Sequence, residues 1–77
     1  RSPGARITVL VRDGKGTIAR ITQAISKAGG TIVGLGTSEL AKSDDRLREC
    51  VFKVQGIPAA RLVDAVGPLV HQVTDIR

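Results

Sequence analysis

The chain has 77 residues, 42% of them hydrophobic, and a formal charge of +5. That length holds one domain near the lower limit for independent folding, with an aliphatic core in which Phe52 is the single aromatic. A lone cysteine, Cys50, excludes an intrachain disulfide and any cysteine-only metal site. No apolar run approaches the length of a membrane span. The basic residues are spread from Arg6 to Arg77 without a run and without aromatics beside them, which reads as solvated surface charge rather than a nucleic-acid surface. The setting expected from these features is cytoplasmic, with no membrane partner. The opening Arg1-Ser2-Pro3-Gly4 reads as part of a linker stub over residues 1–5, joining residues 6–77 to an N-terminal domain of a longer parent chain.

From Arg6 to Arg12 the sequence alternates, with Ile7, Val9 and Val11 on one side and Thr8 and Leu10 on the other. Apolar residues on both sides predict a central strand. At Ile18 the period changes: Ile18, Ile21, Ile25 and Ala28 recur at helical spacing, with Arg20, Gln23 and Lys27 outward. Asp13 is placed to cap the first turn, and Gly29-Gly30 to stop the helix. Thr31 to Leu40 reads as a second strand, in which Gly34 and Gly36 point to a bulge or a close neighbouring backbone.

The polar Lys42-Ser43-Asp44-Asp45 makes a turn into a third strand, Leu47 to Gln55. There Cys50, Phe52 and Val54 are expected to face the core, with Glu49, Val51 and Lys53 facing away. Gly56-Ile57-Pro58 opens a second helix with Ala59, Leu62, Val66 and Leu69 on its buried side, and Pro68 bends or ends it. Val73 to Ile76 makes a short last strand. The order βαββαβ predicts an α+β, ferredoxin-like sandwich: a four-stranded antiparallel sheet with both helices on one face. Thr8, Leu10 and Val51, with Val33 or Leu35, leave the other face too apolar for a wholly wet surface, which favours a partner chain or domain.

That architecture serves many functions, so the site must discriminate among them. Base stacking on the two central strands needs aromatics, and only Phe52 is present. The turn Asp13-Gly14-Lys15-Gly16 has no thiol for a soft metal, is too short for a phosphate-binding loop, and lacks a lysine followed by Ser or Thr. Acyl-phosphate hydrolysis would draw on Arg12 and Lys15, but the chain contains no Asn to accompany them. His71 reads as a surface residue and Cys50 as a small core residue, so no nucleophile–base set exists. No catalytic residue, metal ligand or cofactor is expected.

The Asp-x-x-Gly turn at Asp13-Gly14-Lys15-Gly16, the helix ending Ala28-Gly29-Gly30 and the strand opening Thr31-Ile32 together resemble the ACT domain, a regulatory module that binds amino acids and other small metabolites. The likeness runs from Ile7 to Arg77. It departs from the family where Lys15 stands in place of a common Pro and Thr31 in place of a common Asn. The stretch "LVRDGKGTIARITQAISKAGGTIVGLGTSE" and the "KVQGIP" before the second helix resemble ACT domains at the C-terminal end of bacterial proteins with paired CBS domains.

The resemblance implies a non-catalytic sensor that works as a homodimer or higher oligomer, its ligand seated between the turn of one copy and the second strand of the other. Asp13, Gly14, Lys15, Gly16 and Thr17 from the turn, and Thr31, Ile32 and Val33 from the strand, are the ligand-binding residues so implied. The exposed amides at a helix N-terminus suit a carboxylate, and Asp13 suits an ammonium group. Three plainer readings stay open: Asp13 as a helix cap alone, Gly16 as a tight helix–strand contact, and the domain as a ligand-free dimerisation module.

Overall fold

A computed structural model describes residues 4–12, 16–39 and 47–77. The strands are β1 (Gly4–Arg12), β2 (Thr31–Glu39), β3 (Leu47–Gln55) and β4 (Gln72–Ile76), with helices α1 (Thr17–Lys27) and α2 (Ala59–Val66) between them. The sheet order is β2-β3-β1-β4 and all three pairings are antiparallel. Each helix therefore connects strands that are not neighbours, which is the ferredoxin-like arrangement expected from the element order.

Strand alternation fixes the core. Ala5, Ile7, Val9 and Val11 of β1 and Cys50, Phe52 and Val54 of β3 point to one side, where Ile21 and Ile25 of α1 and Leu62 and Val66 of α2 meet them. Ile7 stands opposite Phe52 and Val9 opposite Cys50, so the two central strands stack their apolar side chains in register. No polar or charged residue is buried among the described residues.

Both ends of α1 follow local chemistry. At its C-terminus Gly29 takes φ +98°, its N–H donating to the Ser26 carbonyl and that of Gly30 to the Ile25 carbonyl. This pair of bonds satisfies the last helical carbonyls. A Cβ on Gly30 would lie 2.8 Å from Val54 Cγ1 and 2.9 Å from Ile25 Cγ2, so the second glycine is required by close packing of helix against sheet.

Three details depart from the sequence reading. First, β1 begins at Gly4 rather than Arg6, and Ala5, assigned to the linker by composition, is buried in the core. The bond from Arg6 N–H to the Arg77 carbonyl, 2.9 Å, ties this end of β1 to the end of the chain. Second, Leu69 is exposed: α2 ends at Val66, residues Gly67–Leu69 form a 3-10 turn around Pro68, and the changed pitch swings Leu69 outward while Val70 and Val73 pack on the core.

Third, Leu35 stands opposite Phe52 and so shares the helix side of the sheet rather than the open face, yet as part of an edge strand it is half exposed. The structure describes β2 as far as Glu39; Leu40 and the turn Lys42-Ser43-Asp44-Asp45 lie outside the described residues, as do Asp13, Gly14 and Lys15. The bulge expected from the glycines is present, at Val33 between the pairs Ile32–Val54 and Gly34–Lys53.

Candidate functional site at the helix N-terminus and the edge strand

Of the turn residues, Gly16 and Thr17 are described. Gly16 is the N-cap of α1 at φ +79°, a left-handed conformation that residues with a side chain seldom adopt. Its carbonyl accepts from the Arg20 N–H at 2.9 Å. The first helical amides, of Thr17, Ile18 and Ala19, then lack acceptors within the helix, and the first turn carries no acidic residue to neutralise its positive end.

A Cβ on Gly16 would meet only Arg20 Nη1, at 3.6 Å, among the described residues. Gly16 is therefore not a helix–strand packing glycine. That role belongs to Gly30, and Gly16 answers to backbone conformation.

Beside that end lies a hollow of about 290 Å³, lined by Arg12, Thr17, Arg20, Leu69, Val70 and His71 together with Pro68. Cationic Arg20 adds to the positive end of the helix dipole there, which favours a negatively charged group. Sequence reasoning did not single out Arg20 or the residues after Pro68. For Arg20 the signal was its spacing, four residues after Gly16 and so one turn above the cap. For Leu69 to His71 there was none, because their approach depends on the pairing of β4 with β1. His71 is exposed, as expected, and its backbone N–H donates to the Leu10 carbonyl at 2.9 Å.

The strand half of the expected site is placed elsewhere. Thr31 is exposed opposite Gln55, Ile32 is half-buried opposite Val54, and Val33 is the bulged residue, 54% exposed. Gln55 in turn pairs with Gly4, at the start of β1, whereas Gly16 and Thr17 follow its end at Arg12. The 11-residue α1 runs between the two sets, a span of about 16 Å at 1.5 Å per residue. A single chain does not bring them together.

Cys50 is buried beneath the helices, and desolvation raises its thiol pKa; Arg48 lowers it and neighbouring Glu49 raises it to a smaller extent. Among the described residues no group of three His, Cys, Asp or Glu is placed to hold a metal ion, and no helix is long and apolar enough to cross a membrane.

No protein-family model matches the sequence, and no curated protein matches it either. Solved structures do. The ACT domain of GTP pyrophosphokinase from Chlorobium tepidum is 20% identical, with 100% of this chain and 97% of that one covered at a TM-score of 0.62. The regulatory subunit of aspartate kinase from Thermus thermophilus, in its ligand-free form, is 18% identical with a TM-score of 0.73. That match takes in 96% of this chain and 50% of the aspartate kinase subunit, so the chain spans half the length of that protein. The shared property at these identities is the fold, a ferredoxin-like sandwich of the ACT type.

Proposed function

We propose that this chain is a non-catalytic regulatory domain of the ACT family that binds a small metabolite, an amino acid, between two copies of itself. The observation that supports this reading is a division: a helix end at Gly16 with no side-chain cap hydrogen bond and an exposed strand start at Thr31–Val33, held apart on one chain by the length of α1. A two-fold pairing of β2 edges supplies what one chain lacks. In an antiparallel pair the start of one β2 lies level with the end of the other. The end of β2 is level with the end of β1, since Glu39 and Val11 both pair with Arg48, and α1 begins there. Thr31, Ile32 and Val33 of one copy then stand near the turn of the other.

In that arrangement the amides after Gly16 receive the ligand carboxylate, and Gly14 and Lys15 complete the turn. Asp13 meets the ammonium group, and Thr31 contributes a hydroxyl from across the interface. Binding favours one arrangement of the two copies by the difference in its affinity for the two. The residues N-terminal to the domain carry that difference to an attached domain, in the manner of the CBS-linked proteins the sequence resembles, in the bacterial cytoplasm. No reaction step is required of the domain.

Calorimetric titration with each of the twenty amino acids tests the reading. One or a few are expected to bind. Asp13→Ala is expected to weaken that binding by at least tenfold, the equivalent of about 1.4 kcal/mol, while the dimer persists. Binding of none of the twenty, with a stable dimer, would favour a domain kept for association alone.

A further inference from the structure

The open face of the sheet gathers cations that are far apart in the sequence. Arg6 of β1 stands opposite Lys53 of β3. On its other side Arg6 exchanges two backbone hydrogen bonds with Arg77, each 2.9 Å. Because Arg6 spends its N–H on Arg77, its pairing with Lys53 is of the non-hydrogen-bonded kind, in which facing residues come closest, with Cα atoms about 4.5 Å apart. Lys53, Arg6 and Arg77 thus form one row across three strands, about 10 Å from end to end.

Such a row is unfavourable by itself, since like charges directly opposite each other destabilise a sheet. Asp75 relieves part of it by accepting from Arg77 Nε–H at 2.8 Å, the Arg77 side chain being largely and that of Asp75 partly exposed. Among the side chains, three positive groups against one negative leave an excess of two. The row borders a hollow of about 340 Å³ that also takes in Gly4, Gln55 and Val33. The stem of Lys53 lies over Gly34, whose missing Cβ would stand 3.3 Å from Lys53 Cδ. This hollow lies at the start of β1, at the opposite end of the sheet from Gly16, and of the residues assigned to the amino-acid site above it takes in Val33 alone.

We propose that the row of Lys53, Arg6 and Arg77 is a second ligand site, for the polyphosphate group of a small molecule. A chain of two or three phosphates places several negative charges within a few ångströms, matching a short row of cations that a single phosphate or carboxylate would not span. Guanidinium groups at two of the three positions suit phosphate oxygens through paired N–H donors. Val33, half exposed at the border of the hollow, offers an apolar surface to the organic part of such a ligand.

Titration with inorganic tripolyphosphate at low ionic strength tests this, with adenosine triphosphate as the second arm to separate phosphate recognition from recognition of the organic part. Tripolyphosphate is expected to bind at least ten times more tightly than orthophosphate. Arg6→Gln or Lys53→Gln is expected to weaken tripolyphosphate about tenfold, and Lys53→Arg to retain it. Lys27→Gln, which removes an exposed cation from α1, on the helix-covered side of the sheet rather than its open face, is expected to change it less than twofold. Arg6→Gln should also melt no lower than the parent, because it removes a like-charge neighbour. Absence of tripolyphosphate binding, or an equal loss in Lys27→Gln, would overturn the proposal. So would tighter binding of an acidic peptide or a single-stranded oligonucleotide of the same charge, which would make the row a macromolecular surface.

Discussion

Three glycines show how differently the same residue type is used. Gly16 carries a positive φ and a missing Cβ that would meet Arg20 alone among the described residues, Gly30 has an ordinary φ but no room for a methyl group, and Gly36 has neither restriction. Gly16→Ala is therefore expected to cost about 1 kcal/mol through backbone strain alone. Gly30→Ala should cost about 1–3 kcal/mol, because Val54, Ile25 and Ile57 must move. Gly36→Ala should be neutral or stabilising by about 0.5 kcal/mol, through loss of unfolded-state freedom. Denaturant unfolding of the three variants measures this order. Cys50 makes a separate prediction. Folding raises its pKa, so its contribution is intact below the pKa of the unfolded thiol and is lost as pH rises toward the folded value. Cys50→Ala should remove that alkaline decline in stability, and thiol reagents should label the parent chain only as fast as it opens.

At the scale of elements, the strands and helices were legible because burial and period coincide. Ile7, Val9 and Val11, and again Cys50, Phe52 and Val54, alternate in sequence and in burial alike. The misplacements arose where tertiary pairing overrides local pattern. Ala5 joins the core because β1 extends to meet the end of the chain, and Leu69 leaves it because Pro68 changes the pitch. Around the candidate site, the change of element near Gly16 and the start of β2 at Thr31 were legible from spacing. The hollow formed by Arg20, Leu69 and His71 was not, since nothing local records which distant segments abut a helix end. The edge strand β2 carries the next prediction. Val33 and Leu35 are 54% and 50% exposed, an apolar pair on an open edge of the kind that association covers. Leu35→Lys should leave a folded monomer in sedimentation analysis, with helix and strand content unchanged by circular dichroism.

For the molecule as a whole, a core of eleven buried apolar residues among the described residues of a 77-residue chain makes association more consequential than it would be for a larger domain. The melting temperature should accordingly rise with protein concentration, and rise further when the proposed amino acid is added, because both bind the folded state alone. The central claim is that the ligand site is shared between copies, and complementation tests it most directly. One chain would carry Asp13→Ala in the turn and the other Thr31→Arg at the start of β2, each expected to lose ligand binding as a homodimer. In the mixed dimer one site receives both changes and the other receives neither. The account predicts that mixing restores calorimetric binding to one intact site per mixed dimer; a mixture as silent as its two components would contradict it.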